Sequence, residues 1–175
     1  MKLKKYNIIG FVFTLIFGSI LHFTYKLFEG NALALYFSAV NESTWEHLKL
    51  LITPSLLFFI FEYFKYGKKL DNFLIVKALS ILIGMLSIVV LFYTYTGIIG
   101  KNYLALDILI FIYASFISYY FSYKMLKNDK LIIKNGNYIG FFIIFLIIFS
   151  VIYFTINPPK INLFLDPIKN IYGVG

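Results

Sequence analysis

The run Tyr138–Asn157, YIGFFIIFLIIFSVIYFTIN, is twenty residues long and contains no Asp, Glu or Lys. Wound as an α-helix at about 1.5 Å per residue it reaches about 30 Å, the thickness of the hydrocarbon core of a bilayer. It has no polar face to offer to water, so it predicts a membrane-spanning helix rather than a helix on a soluble domain.

Composition extends that reading to the whole chain. Of its 175 residues 61% are hydrophobic, 21% aromatic and only 14% charged, with a mean hydropathy of +0.84. A single soluble core of this size has no room for so much apolar side chain, so the bilayer must serve as solvent. The expected fold is all-α: one domain, 1–175, forming a bundle of five transmembrane helices at about 6–26, 44–64, 78–95, 103–126 and 138–157, with an apolar tail at 158–175. The first, third and fifth spans carry no Asp, Glu or Lys inside. The second carries Glu46, His47, Lys49 and Glu62 near its ends, and Pro54 predicts a kink within it. The fourth has Asp107 one turn from its start. The first apolar run is longer than a signal-peptide core and no small-x-small cleavage site follows Tyr25, so it reads as a retained helix.

All sixteen basic residues are lysine, and their placement orients the bundle. Lys2, Lys4, Lys5, Lys65, Lys68, Lys69, Lys124, Lys127, Lys130 and Lys134 share one side, against Lys26, Lys101, Lys160 and Lys169 on the other. The positive-inside rule then puts the N-terminus in the cytoplasm and the C-terminus outside, as expected for a multi-pass protein of a bacterial plasma membrane. The net charge of +8 does not point to nucleic acid, because the lysines sit between spans rather than in a stripe interleaved with stacking aromatics. With no cysteine, disulfides and thiolate ligands are excluded.

Chemistry concentrates in Asn41-Glu42-Ser43-Thr44-Trp45-Glu46-His47-Leu48-Lys49, set against the apolar run from Leu50 to Phe61. On the first span Gly10, Thr14, Gly18 and His22 recur every four residues, a small-residue stripe that should pack inward and deliver an imidazole to the same end. Ser80, Gly84 and Ser87 make a similar face on the third span, and Asp107, Phe111, Ala114, Ser115, Ser118 and Ser122 on the fourth. Counted inward from the outer boundary, His22, Glu46, His47 and Asp107 fall in one layer. Glu46, His47 and Asp107 are the expected acid–base groups, and His22, His47 and Asp107 the expected ligands of a metal, for which imidazole plus carboxylate favours Zn²⁺.

Each residue also has a plainer role. Ser43-Thr44-Trp45-Glu46 fits a capping box in which Glu46 bonds back to the Ser43 N–H. Asp107 can compensate a helix N-terminus, and either histidine can be a hydrogen-bonded packing residue. Glu62 and Lys77 near the inner side read as snorkelling or paired charges. The outer loop from Leu27 to Ser43 contains the apolar Ala32–Phe37, which should lie in the interface or dip into the bundle. The tail beyond Asn157-Pro158-Pro159 should fold back and bring Asp166 toward the polar layer.

The block from Val40 to Leu50, VNESTWEHLKL, taken with His22, the region Gly97 to Asp107 and the Asn157-Pro158-Pro159 to Asp166-Pro167 tail, resembles an uncharacterised bacterial membrane family, domain-of-unknown-function family 6512. The resemblance covers most of the chain and implies a small multi-pass membrane protein; it implies no activity. Two functional classes follow from the residues. One is a protein in which the layer binds or transports a small solute or serves an accessory role. The other is a membrane-embedded metal-assisted hydrolase or transferase acting on a lipid-linked or envelope substrate. Five spans are few for a self-contained carrier and no inverted repeat is visible, so a carrier would call for a homo-oligomer.

Overall fold

The computed structural model describes residues 2–28, 31–127, 131 and 133–174. Lys130, counted above among the basic residues of one side, lies outside them. The chain forms α1 (Lys2–Leu27), a short α2 (Ala32–Phe37), α3 (Thr44–Lys65), α4 (Phe73–Ile99), α5 (Leu104–Lys127) and α6 (Gly136–Ile156), then a small hairpin of β1 (Leu165–Asp166) and β2 (Ile171–Tyr172). All but α2 are long and apolar enough to cross a membrane. The helical-bundle expectation holds, with the hairpin as an addition.

Helix α3 is the most buried of the five long helices and packs between α1 and α4; α1 also meets α5, and α4 carries α5 and α6. The small-residue stripe of α1 does face inward. Thr14 Oγ1 lies 2.9 Å from Tyr119 Oη, and a Cβ at Gly10 would meet the rings of Tyr119 and Phe58. Gly18 abuts the Leu50 carbonyl oxygen. Pro54, inside the continuous α3, has no N–H to give that carbonyl four residues back, so α1 approaches where α3 leaves an acceptor open.

Helix α4 is longer than the 78–95 expected from hydropathy, because Lys77 does not end it. The Lys77 side chain is fully buried and its Nζ lies 2.6 Å from Glu62 Oε2 and 2.8 Å from Ser122 Oγ. The third face of the ammonium rests over the Phe59 ring, 4.3 Å from its centroid. The Tyr66 hydroxyl donates to Glu62 Oε1 at 2.5 Å. Burial and the adjacent Glu62 charge hold the Tyr66 phenol above its ordinary pKa, so it remains a donor. Of the two readings of Glu62 and Lys77, pairing is the one realised.

The loop between α1 and α3 packs against the ends of the helices through α2, of which Ala34 is buried. Asn31 caps α2 by accepting from the N–H groups of Leu33 and Ala34. Its C-terminal carbonyls, which a short helix cannot satisfy itself, are met by α3: Lys49 Nζ donates to Leu35 O and Ser38 O, and Thr53 Oγ1 to Phe37 O. The tail folds back as expected. Phe164 is buried against Trp45 and Phe154, with ring centroids at 4.9 and 5.3 Å, and so lies over the N-terminal end of α3.

Candidate functional site

Antiparallel packing of α1 and α3 sets the last turns of one beside the first turn of the other. The α1 stripe therefore ends with His22 facing His47, their Nε2 atoms 3.3 Å apart. Glu42, from the segment leading into α3, reaches the same point: its Oε2 lies 3.5 Å from His47 Nε2 and 3.9 Å from His22 Nε2. One ligand atom from each residue lies within 4.8 Å of the other two. The three side chains are about one-third exposed (31%, 29% and 32% for His22, Glu42 and His47), so the cluster borders the surface.

The surroundings fix how His47 presents itself. Its Nδ1 lies 2.9 Å from Ser43 O, and a carbonyl only accepts, so Nδ1 carries a proton and Nε2 is the nitrogen turned toward His22 and Glu42. That backbone-held tautomer is the usual support of a metal-binding imidazole. The Ser43 carbonyl is itself placed by the cap of α3, where Ser43 Oγ accepts from the Glu46 N–H and Asn41 Oδ1 from the Ser43 N–H.

The C-terminal hairpin braces the other side. Asn41 Nδ2 donates to Gly173 O, and the Glu42 N–H to Asp166 Oδ2. Asp166 Oδ1 also takes the N–H groups of Ile168 and Lys169. Burial opposes its charge, but the N–H groups of Lys169, Ile168 and Glu42 outweigh that and hold the carboxyl below its ordinary 3.8. A carboxylate with a lowered pKa contributes stability that is fully present above the ordinary value and is lost as pH falls through the lowered one. Docking of the tail should thus be unchanged at pH 5 and loosen only below about pH 4. Asp166→Ala should cost about 1–3 kcal/mol locally, read as loss of amide-exchange protection at Glu42 and Ile168 with the long helices unaffected. Wild-type protection in that variant would show that Asp166 is not the latch.

The other expected site residues lie elsewhere. Glu46 has only half of the capping-box arrangement: its N–H bonds Ser43, but its carboxylate accepts from Lys49 Nζ at 2.6 Å and from the Val40 N–H at 3.1 Å. Both charges are buried, so Glu46 supports the approach of α2 rather than facing a solute. Asp107 does not join the histidines. Its carboxylate takes the Tyr95 hydroxyl and the Asn102 amide, joining the end of α4 to the start of α5. The expectation of one layer counted residues along each helix; the carboxylate of Asp107 is instead taken up in the seam between α4 and α5. Glu42 fills the carboxylate position instead. It stands in the polar block five residues before His47, and only the turn at Asn41–Ser43 shows that it reaches back.

The chain belongs to a family of unknown function, DUF6512, whose model matches residues 1–174. No curated protein and no solved structure matches it.

Proposed function

We propose that this protein is an integral membrane protein that binds a divalent transition metal, Zn²⁺ being the best chemical fit, through His22, Glu42 and His47 at the outer end of its helices. The observation that carries the reading is the convergence of two imidazole Nε2 atoms and one carboxylate oxygen within 4.8 Å. Two nitrogens and one oxygen suit Zn²⁺, whereas Ca²⁺ would favour an all-oxygen set. The lysine asymmetry supports placing the opposite, lysine-rich end in the cytoplasm of a bacterial cell.

A second reading builds on the first. Three protein ligands leave a fourth position on a tetrahedral ion, the arrangement of hydrolytic zinc sites, and the exposure of the three side chains supports access to it. The metal then serves a hydrolase or transferase acting on an envelope substrate, instead of being the solute bound.

Metal analysis of protein purified at neutral pH without chelators should find about one Zn²⁺ per chain, and His22→Ala or His47→Ala should abolish it. Imidazole coordinates only when neutral, so binding should weaken in acid. An impermeant chelator added to intact cells should strip the metal if this end faces outward. Metal-free wild-type protein that also takes up no added Zn²⁺ would overturn the metal reading, and a site reached only after permeabilisation would overturn the orientation.

A further inference from the structure

The acids and bases around the three ligands leave the site short of negative charge once a divalent ion is bound. Both imidazoles are neutral when they coordinate, so Glu42 is the only anionic ligand. Its second oxygen, Oε1, faces Lys26 Nζ at 3.5 Å. Of the other described carboxylates nearby, Glu46 is neutralised by Lys49, and Asp166, bound by three backbone N–H groups, adds one negative charge. Among the described residues a divalent ion together with Lys26 would thus outweigh Glu42 and Asp166, leaving excess positive charge for the coordination position that three ligands leave open.

Lys26 is 69% exposed and among the described residues meets one carboxylate oxygen, that of Glu42; an ammonium carries three donors. Lys26 lies in the last turn of α1, where Phe23, Leu27 and Phe28 of the same stretch are large exposed apolar side chains. Helix ends of this kind sit at the level where lipid headgroups meet acyl chains. A tetrahedral anion with several oxygens can give one to a metal and another to a lysine, which is how lysine serves as a point charge for phosphate.

We infer that the metal held by His22, Glu42 and His47 takes a phosphate group as its exogenous ligand, with Lys26 as the second contact. The inference rests on the metal reading above. The same chemistry is offered by a lipid phosphomonoester and by free phosphate, and the apolar rim favours the lipid.

Purified protein loaded with Co²⁺ in place of Zn²⁺ gives a visible absorption band that reports the ligands of the ion. Inorganic phosphate and short-chain dihexanoyl phosphatidic acid, each titrated into the loaded protein in neutral detergent, should shift that band. Lys26→Met should weaken the apparent affinity about tenfold, as loss of one charge-assisted hydrogen bond implies, with Co²⁺ content unchanged; Lys26→Arg should restore most of it. Tighter binding of the lipid than of inorganic phosphate identifies the lipid as source, and equal affinity identifies free phosphate. A Co²⁺ band insensitive to both, or an affinity unchanged in Lys26→Met, would overturn the inference while leaving the metal site standing. Failure of the wild-type protein to take up Co²⁺ or Zn²⁺ would instead remove the metal reading, and this one with it.

Discussion

Removing either member of the buried Glu62–Lys77 pair is expected to cost about 3–5 kcal/mol, because the survivor is left as an uncompensated charge inside the bundle. Neither side chain is exposed at all, so neither can recover its hydration without opening the packing of α3, α4 and α5. Lys77→Met leaves the Glu62 carboxylate facing only the Tyr66 hydroxyl, and Glu62→Leu leaves an ammonium with Ser122 and aromatic rings. The double variant Glu62→Leu with Lys77→Met should regain most of the loss, since apolar side chains of similar volume commonly replace a buried pair at little cost. Thermal unfolding of the three variants in detergent is the measurement. Additive losses in the double variant would show that the two charges do not depend on each other.

Gly140→Ala is the other substitution expected to be severe, even though it adds only one methyl group. The new Cβ would strike the α4 backbone at Leu74 and Ile75, and backbone cannot move aside as a side chain does. The contact is pinned nearby: Asn137 accepts from the Leu74 N–H at 2.7 Å and donates to Leu70 O at 2.8 Å, so α6 cannot retreat without breaking both part-buried hydrogen bonds. The cost should reach or exceed about 3 kcal/mol, the upper end for overpacking. Gly97→Ala is the control, because a Cβ there meets nothing within 4 Å and alanine is the better helix former; it should be neutral or slightly stabilising. If Gly140→Ala and Gly97→Ala unfolded at the same temperature, α6 would not be seated on α4 in this way.

Much of the architecture was legible in one dimension. An apolar run long enough for a bilayer specifies a helix and its length, because backbone polar groups in hydrocarbon must be satisfied within the segment. Span boundaries were less legible where a charge lay near an end. Lys77 looked like a terminus, yet α4 begins at Phe73, since a partner fifteen residues earlier neutralises that charge. That the loop between α1 and α3 packs on the helices was visible from the apolarity of Ala32–Phe37, but not that Lys49 holds it by its carbonyls.

For the candidate site, residue types and periodicity alone determined that His22 and His47 stand at the same end of the bundle, and that the Asn41–Lys49 block holds its chemistry. A four-residue stripe on α1 aims His22 inward whatever it meets, and the helical cap at Ser43 places His47 in the first turn of α3. Only the tertiary structure decided which carboxylate joins them. Depth along a helix follows from counting residues, but lateral position depends on which helices are neighbours and how each is rotated, and no local pattern encodes that. Hence Asp107 went to Tyr95 and Asn102 on the α4–α5 side, whereas Glu42 was turned back to the histidines by a segment that the C-terminal hairpin, more than a hundred residues later, holds through Asp166.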